Sequence, residues 1–253
     1  MRYEGEKISL ILKTMIAVAV LVLLGCSGVN ADPAGCPAPV VPRVLESSEP
    51  PNLGQLKLQL REYRCLRYDG DVLAVLAKAR AWIEQRAAQV VNPALILDID
   101  ETSLSNWEQI YHNDFGYIPA GACDLASKAA CGAQDWDLSM QASAIKPTLE
   151  LFNAAKAKKM AVFFVTGRFD SGLEKTATAL NLSKAGYFGW DGLYLRDPEK
   201  PRPSVAEYKR DMRIDIETKG YTIIANVGDQ YSDLALGHAE QTFKVPNPFY
   251  FLP

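Results

Sequence analysis

Apolar residues recur along this chain with two periods, and the alternation of those periods predicts its architecture. Between Asp71 and Ala87, the residues Val72, Val75, Leu76, Ala79, Trp82 and Ile83 fall on one helical face, with Asp69 or Asp71 available as a cap. Short apolar runs follow at 94–97, 161–165, 193–195, 222–227 and 242–245, the pattern of strands buried on both faces. Helical stretches lie between them: one opens near Pro147 and carries Leu149, Phe152 and Ala155, another covers 172–183, and a third covers 205–217. Strands alternating with helices predict an α/β domain, a parallel sheet with helices on both faces. In such sheets ligands bind beyond the carboxyl ends of the strands.

The first apolar run, 15–24, is of another kind. It contains no polar group, is preceded by Arg2, Lys7 and Lys13, and is followed by small residues, as in the h-region of a signal peptide. It is too short to cross about 30 Å of hydrocarbon, which takes about 20 helical residues. Its end, Leu23-Leu24-Gly25-Cys26-Ser27, resembles the lipobox of bacterial lipoproteins, whose Cys becomes the acylated first residue. The resemblance implies a lipoprotein-type signal peptide over 1–25 and a place in the bacterial cell envelope, attached to the membrane through a lipid on Cys26. Cleavage after Val29-Asn30-Ala31, giving a soluble periplasmic or secreted protein, is the alternative. Pro33, Pro37, Pro39, Pro42, Pro50 and Pro51 then predict a Pro-rich tether over 26–52, leaving one globular domain over 53–253.

Charge narrows the chemistry. With 27 Lys+Arg against 30 Asp+Glu and a net charge of -3, the chain has no basic field for a polyanion, so a nucleic acid polymer is excluded as a partner and phosphate chemistry must be local. Cys36, Cys65, Cys123 and Cys131 remain once Cys26 is set aside, an even number in a chain expected in an oxidising compartment. Two disulfides are expected, with Cys123–Cys131 closing a local loop and Cys36–Cys65 pinning the tether, although three connectivities and buried free thiols stay open. No CxxC occurs and no Cys is followed six positions later by Arg, so zinc ribbons, thioredoxin-type redox chemistry and Cys-dependent phosphatases lack their residues. Two histidines, His112 and His238, and no GxSxG leave little for a Ser/His/Asp triad.

The strand ends carry the chemistry. The strand at 94–97 runs into Asp98-Ile99-Asp100-Glu101-Thr102, the one at 161–165 into Thr166-Gly167-Arg168, and the one at 222–227 into Gly228-Asp229-Gln230-Tyr231-Ser232-Asp233. Residues two apart in extended backbone point the same way, so Asp98 and Asp100 can reach one site. Carboxylates that close repel unless a cation sits among them, and with Asp229 and Asp233 they suit Mg²⁺. An EF-hand reading of Asp98, Asp100 and Thr102 fails at Ser103 and Gln109, where that loop needs Gly and Glu. Plain solvation of strand ends is the remaining alternative.

Taken together, LDIDETSLSN, FFVTGR, Tyr208-Lys209, NVGDQYSDL and the FKVPNPFYFLP segment resemble the haloacid dehalogenase (HAD) superfamily, and within it the subfamily IIIB acid phosphatases, which include plant vegetative storage proteins and bacterial class B and class C enzymes. That resemblance implies a HAD-like Rossmannoid sheet with a small cap inserted between the first two motifs, over about 107–145. It implies a small-molecule phosphomonoester as substrate, nucleoside monophosphates among the candidates, with Asp98 as nucleophile and Asp100 as proton shuttle. Thr166 is then expected to donate to phosphate, and Lys209 to offset its charge, a solvated helix lysine being the alternative. Mg²⁺ is the implied cofactor, held by Asp98, Asp100 through its backbone carbonyl, Asp229 and Asp233. Thr102 and Arg168 are expected at the substrate, with a bracing salt bridge as the alternative for Arg168. Trp107 and Tyr111, with Trp136, are candidates for stacking on an aromatic leaving group, or else for packing the cap. A phosphotransferase, or a non-catalytic storage or ligand-binding protein on this fold, stays open.

Overall fold

The computed structural model describes residues 51–200 and 204–252. The expected signal segment 1–25, the lipid site Cys26, Cys36 and all but the last two residues of the expected tether lie outside the described residues.

Two helices open the described chain, α1 (Leu53–Leu66) and α2 (Tyr68–Arg86). The apolar runs above do not include α1, none of whose residues is fully buried although Leu60 and Tyr63 pack against the core. Asn52 caps it, accepting from the Gly54 and Gln55 N–H groups at 2.9 and 3.3 Å. Its cations attach it: Arg61 lies over the Tyr111 ring and Arg64 over Tyr68 and Trp107, while Lys57 and Arg61 also pair with Asp114. Helix α2 buries Tyr68, Val72, Leu76, Ala79 and Ile83, one stripe at helical spacing. Neither acid expected as its cap serves as one. The N-cap position is Arg67, and Asp69 and Asp71 fall within the first turn, where they complement the dipole instead.

The chain then runs through β1 (Pro93–Leu97), β2 (Leu104–Ser105), α3 (Trp107–His112), α4 (Ala133–Ser139), β3 (Ser143–Ala144), α5 (Lys146–Ala157), β4 (Ala161–Phe169), α6 (Leu173–Lys184), β5 (Gly192–Arg196), α7 (Val205–Thr218), β6 (Thr222–Gly228), α8 (Tyr231–Leu234) and β7 (Gln241–Lys244). Five strands form one sheet in the order β5-β4-β1-β6-β7, every neighbouring pair parallel. The α/β reading therefore holds, with all five apolar runs in the sheet. Alternation sends Leu95 and Leu97 into the larger core with Val72, Leu76, Leu151 and Phe152 of α2 and α5, and Ala94 and Ile96 into a second core with Tyr208 and Ile216 of α7. Helices thus cover both faces.

The segment between β2 and β3, expected as a cap, holds α3, α4 and a disulfide joining Cys123 to Cys131. Helix α4 packs against α6. Cys65 is disulfide-bonded as well, and its expected partner Cys36 falls outside the described residues.

Candidate active site

Because β1 lies between β4 and β6 and all three are parallel, their carboxyl ends open side by side at one edge of the sheet. The chain leaves β1 in a tight turn. The Asp98 N–H still extends the ladder to Val227, but the Ile99 carbonyl then accepts from the N–H groups of Thr102, Ser103 and Leu104, and Glu101 takes a left-handed φ of 54°. The turn is pinned from three sides: the Ser103 hydroxyl donates to the Asp98 carbonyl, Thr148 to that of Thr102 and Tyr187 to that of Ser103, at 2.6, 2.6 and 2.9 Å.

Three carboxylates converge here. Oxygens of Asp98, Asp229 and Asp233 lie within 4.8 Å of one another, all three residues buried. Lys209, delivered by α7 and only 3% exposed, donates to Asp98 and, at 2.6 Å, to Asp233. It is a buried counter-charge, and the solvated-lysine alternative falls. Asp233 can approach because residue 228 is glycine: a Cβ there would overlap the Asp233 side chain. Asp233 is further fixed by the Gln230 N–H at 2.8 Å, and the carbonyl of Asp233 accepts from Asn226 and from the buried Arg213.

Burial, with the neighbouring Asp233 charge, pushes the Asp98 carboxyl well above the usual range and raises Asp229 in the same direction. Against three carboxylates stands one ammonium, so the cluster favours a further positive charge. Its donors are hard carboxylate oxygens, the type that Mg²⁺ takes, and the residues fit a divalent cation.

Asp100 lies apart from that cluster. Its carboxylate is gripped by Arg168, with Nη2 donating at 2.6 Å and Nε at 3.1 and 3.2 Å, and it accepts from Asn106 Nδ2 at 2.8 Å. Burial works to raise its pKa, yet the Arg168 charge and these hydrogen bonds hold it below the usual value. The carboxylate of Asp100 is therefore not among the grouped metal-binding oxygens. Thr166 is fully buried, with its hydroxyl 3.4 Å from Asp100 and accepting from the Arg168 N–H at 3.2 Å.

Three expectations for substrate contacts change. Thr102 is fully buried and its hydroxyl donates to Asp229 at 3.0 Å, so it positions a carboxylate. Arg168 takes the bracing alternative: besides Asp100 it pairs with Asp137 of α4 at 3.0 Å and donates to Thr178. Trp107 is 5% exposed and packed among Tyr111, Phe115 and Phe249, while Tyr111 lies between Trp107 and Arg61; both rings serve packing rather than stacking on a leaving group.

The motifs gave no notice of several residues. Asn106 joins Glu101, Asp100 and the Trp136 indole N–H, which donates to it at 2.8 Å. Asn247 and Gln230 each donate to Asp229 at 2.7 Å, and Tyr250 donates to Glu101 at 2.8 Å. Four of these nonetheless lie inside segments already singled out: Asn106 closes LDIDETSLSN, Gln230 follows Asp229 in NVGDQYSDL, and Asn247 and Tyr250 stand in FKVPNPFYFLP, where the sequence marks the residue but not its role.

A parallel sheet presenting aspartates at the ends of its first and fourth core strands, with a buried lysine between them, defines an active site of the haloacid dehalogenase type. A sequence profile described as HAD superfamily, subfamily IIIB (Acid phosphatase) matches residues 52–253, and the chain belongs to that family. It is 35% identical over 164 residues to the stem 31 kDa glycoprotein of Glycine max, covering 64% of this chain and 60% of that protein. It is 33% identical over 159 residues to acid phosphatase 1 of Solanum lycopersicum (62% and 58%), and 30% identical over 160 to vegetative storage protein 1 of Arabidopsis thaliana (62% and 55%). The match thus spans three fifths or less of these relatives' length. Among solved structures, the class C acid phosphatase from Bacillus anthracis superposes with a TM-score of 0.61 at 18% identity, covering 79% of this chain and 86% of that one, a likeness of fold.

Proposed function

We propose that this protein is an acid phosphatase that uses Mg²⁺ and hydrolyses small phosphate monoesters, nucleoside monophosphates included, through a phosphoryl-aspartate at Asp98. The observation that carries the reading is the meeting of Asp98, Asp229, Asp233 and Lys209 beside a separately held Asp100. A carboxylate oxygen of Asp98 attacks phosphorus in line, the bond from phosphorus to the ester oxygen breaks, and Asp100 gives its proton to the departing oxygen. Asp100 then takes a proton from water, the resulting hydroxide oxygen attacks phosphorus, and the bond to Asp98 breaks to release phosphate. Arg168 and Asn106 aim Asp100 at both proton transfers, Thr166 offers a hydroxyl to the phosphoryl group, and Lys209 offsets its charge. Asp98, Asp229 and Asp233, with the Asp100 carbonyl, would hold Mg²⁺, which would supply charge neutralisation on the transferring group.

Hydrolysis of p-nitrophenyl phosphate by residues 27–253, with Mg²⁺, with EDTA and with Asp98→Asn, tests this. Activity that needs the ion and vanishes in the variant is expected. A folded protein inactive from pH 4 to 8 would leave the storage reading, to which the vegetative storage relatives lend support. Ester formation with an added alcohol would mark a phosphotransferase. Residues 1–52 support export and a lipid on Cys26, a reading overturned by mass spectrometry finding an unmodified chain that begins at Asp32.

A further inference from the structure

Residues 245–252 follow β7 and touch the ends of both β6 and β1 through Asp229 and Glu101. The Val245 N–H donates to the Gly228 carbonyl at 2.9 Å, which sets the segment against the end of β6. Pro246 and Pro248 fix the backbone on either side of Asn247. The Asn247 amide is oriented at both ends, its Oδ1 accepting from the Phe249 N–H at 2.9 Å and its Nδ2 donating to Asp229 Oδ2 at 2.7 Å. Phe249 anchors the segment, buried between Tyr68 and Trp107. Tyr250 then donates to Glu101 Oε2 at 2.8 Å, and the Leu252 N–H donates at 3.3 Å to Gln230, itself bonded to Asp229.

The buried Glu101 takes no part in the proton transfers above, but it sits between two groups that matter. Its carboxylate accepts from the Asn106 backbone N–H at 2.5 Å and from Asn106 Nδ2 at 3.2 Å, and that same Nδ2 reaches Asp100 at 2.8 Å. A continuous path of contacts therefore runs from Tyr250 through Glu101 and Asn106 to Asp100, separate from the path from Asn247 to Asp229.

We infer that residues 245–252 form a positioning strap, in which Asn247 sets the Asp229 carboxylate and Tyr250 sets Asp100 through Glu101 and Asn106. The inference rests on the phosphatase reading and assigns the strap two separable effects. Partners that orient metal-binding carboxylates are worth about 10- to 100-fold in metal affinity. In kcat/KM, which reports the steps up to loss of the leaving group and not the later attack of water, a misaimed Asp100 slows an ester whose leaving oxygen must be protonated and hardly slows p-nitrophenyl phosphate, whose leaving group departs as a stable anion.

The test compares Asn247→Ala and Tyr250→Phe with the wild type, each first shown to be folded by circular dichroism. Calorimetric titration with Mg²⁺ alone is expected to show affinity lowered at least tenfold in Asn247→Ala and unchanged in Tyr250→Phe. Steady-state kinetics are expected to show kcat/KM for an alkyl phosphate lowered about tenfold in Tyr250→Phe, and kcat/KM for p-nitrophenyl phosphate lowered less than threefold. Folded variants that match the wild type in both measurements overturn the inference, as does an equal loss on both esters in Tyr250→Phe. A wild type that hydrolyses neither ester sinks the phosphatase reading, while the calorimetric arm still decides the hold of Asn247 on Asp229.

Discussion

Replacing Lys209 with methionine keeps the length of the side chain and removes the ammonium that Asp98 and Asp233 share. At an effective dielectric of about 20, a charge pair at the 2.6 Å of the Asp233 contact is worth about 6 kcal/mol gross. Desolvation offsets much of that, and deleting one partner of a buried pair costs about 3–5 kcal/mol net. In the folded variant the three carboxylates are left to repel one another, so the pKa values of Asp98 and Asp229, already raised by burial and by the Asp233 charge, rise further above those of the unfolded chain. A folded state that binds more protons than the unfolded one loses stability as pH rises. The deficit against wild type is therefore small near pH 4.5 and grows to about 3–5 kcal/mol near pH 7.5. On the proposed function, Mg²⁺ binding to the folded cluster would return about 2.7 kcal/mol at a hundredfold excess over its Kd. Urea unfolding at both pH values, with EDTA and with Mg²⁺, measures these quantities. A deficit that ignores pH, or a variant as stable as wild type at pH 7.5 in EDTA, refutes Lys209 as the cluster's counter-charge.

Asp137 gives a second pH signature. Burial, opposed by Arg168 and helped by the Asp100 charge, pushes it up to about 7, so its contribution to stability is full below about pH 4 and lost as pH rises through about 7. Asp137→Asn should flatten the stability curve over that window by about 2–4 kcal/mol in urea titrations, and an unchanged slope rejects the assignment. Trp107→Ala should lower stability by about 3–5 kcal/mol and leave calorimetric Mg²⁺ affinity alone; unchanged stability with a raised KM for aryl esters would return the ring to a substrate role. Opening the Cys123–Cys131 bridge, which spans 8 residues, with Cys123→Ser and Cys131→Ser should cost about 2–3 kcal/mol in thermal unfolding, and a Tm equal to that of the wild type would show the loop is held by other contacts.

The sheet was legible because strands buried on both faces are written as unbroken apolar runs, whereas α1 carries only a short stripe, Leu53, Leu56, Leu60 and Tyr63, none of it fully buried. Leu60 and Tyr63 pack against the core, and the long side chains of Arg61 and Arg64 add contacts over aromatic rings. Within the site, Asp98, Asp100, Thr166, Lys209, Asp229 and Asp233 could be found because they stand at strand ends or in a motif with fixed order. Thr102 was expected at the substrate from the family resemblance, not from the alternation of β1, which reaches only Asp98 and Asp100. The chain stops being extended at Glu101, where φ turns positive, and the hydroxyl ends on Asp229. Trp136, Asp137, Asn247 and Tyr250 belong to the site only through partners far away in sequence: 149 residues separate Tyr250 from Glu101, and no local pattern records such a contact.

The two aspartates that leave β1 are two residues apart, yet their surroundings drive them in opposite directions, Asp98 up and Asp100 down. The proposed reaction needs the reverse, an ionised Asp98 and a protonated Asp100. For Asp98 a cation among the three carboxylates is sufficient, since the shift comes from burial and from Asp233. For Asp100 the opposing influence is Arg168, so the acid form is populated toward low pH or when a phosphate dianion brings like charge beside it. Asp137 moderates that influence, because the guanidinium that grips Asp100 at 2.6 Å also serves Asp137 at 3.0 Å. The helix that carries Asp137 also carries Trp136, which holds Asn106 against Asp100. Helix α4 thus acts on Asp100 twice, through charge by way of Arg168 and through orientation by way of Asn106. The segment between β2 and β3 thereby bears on Asp100 while contributing nothing to the cluster of Asp98, Asp229 and Asp233.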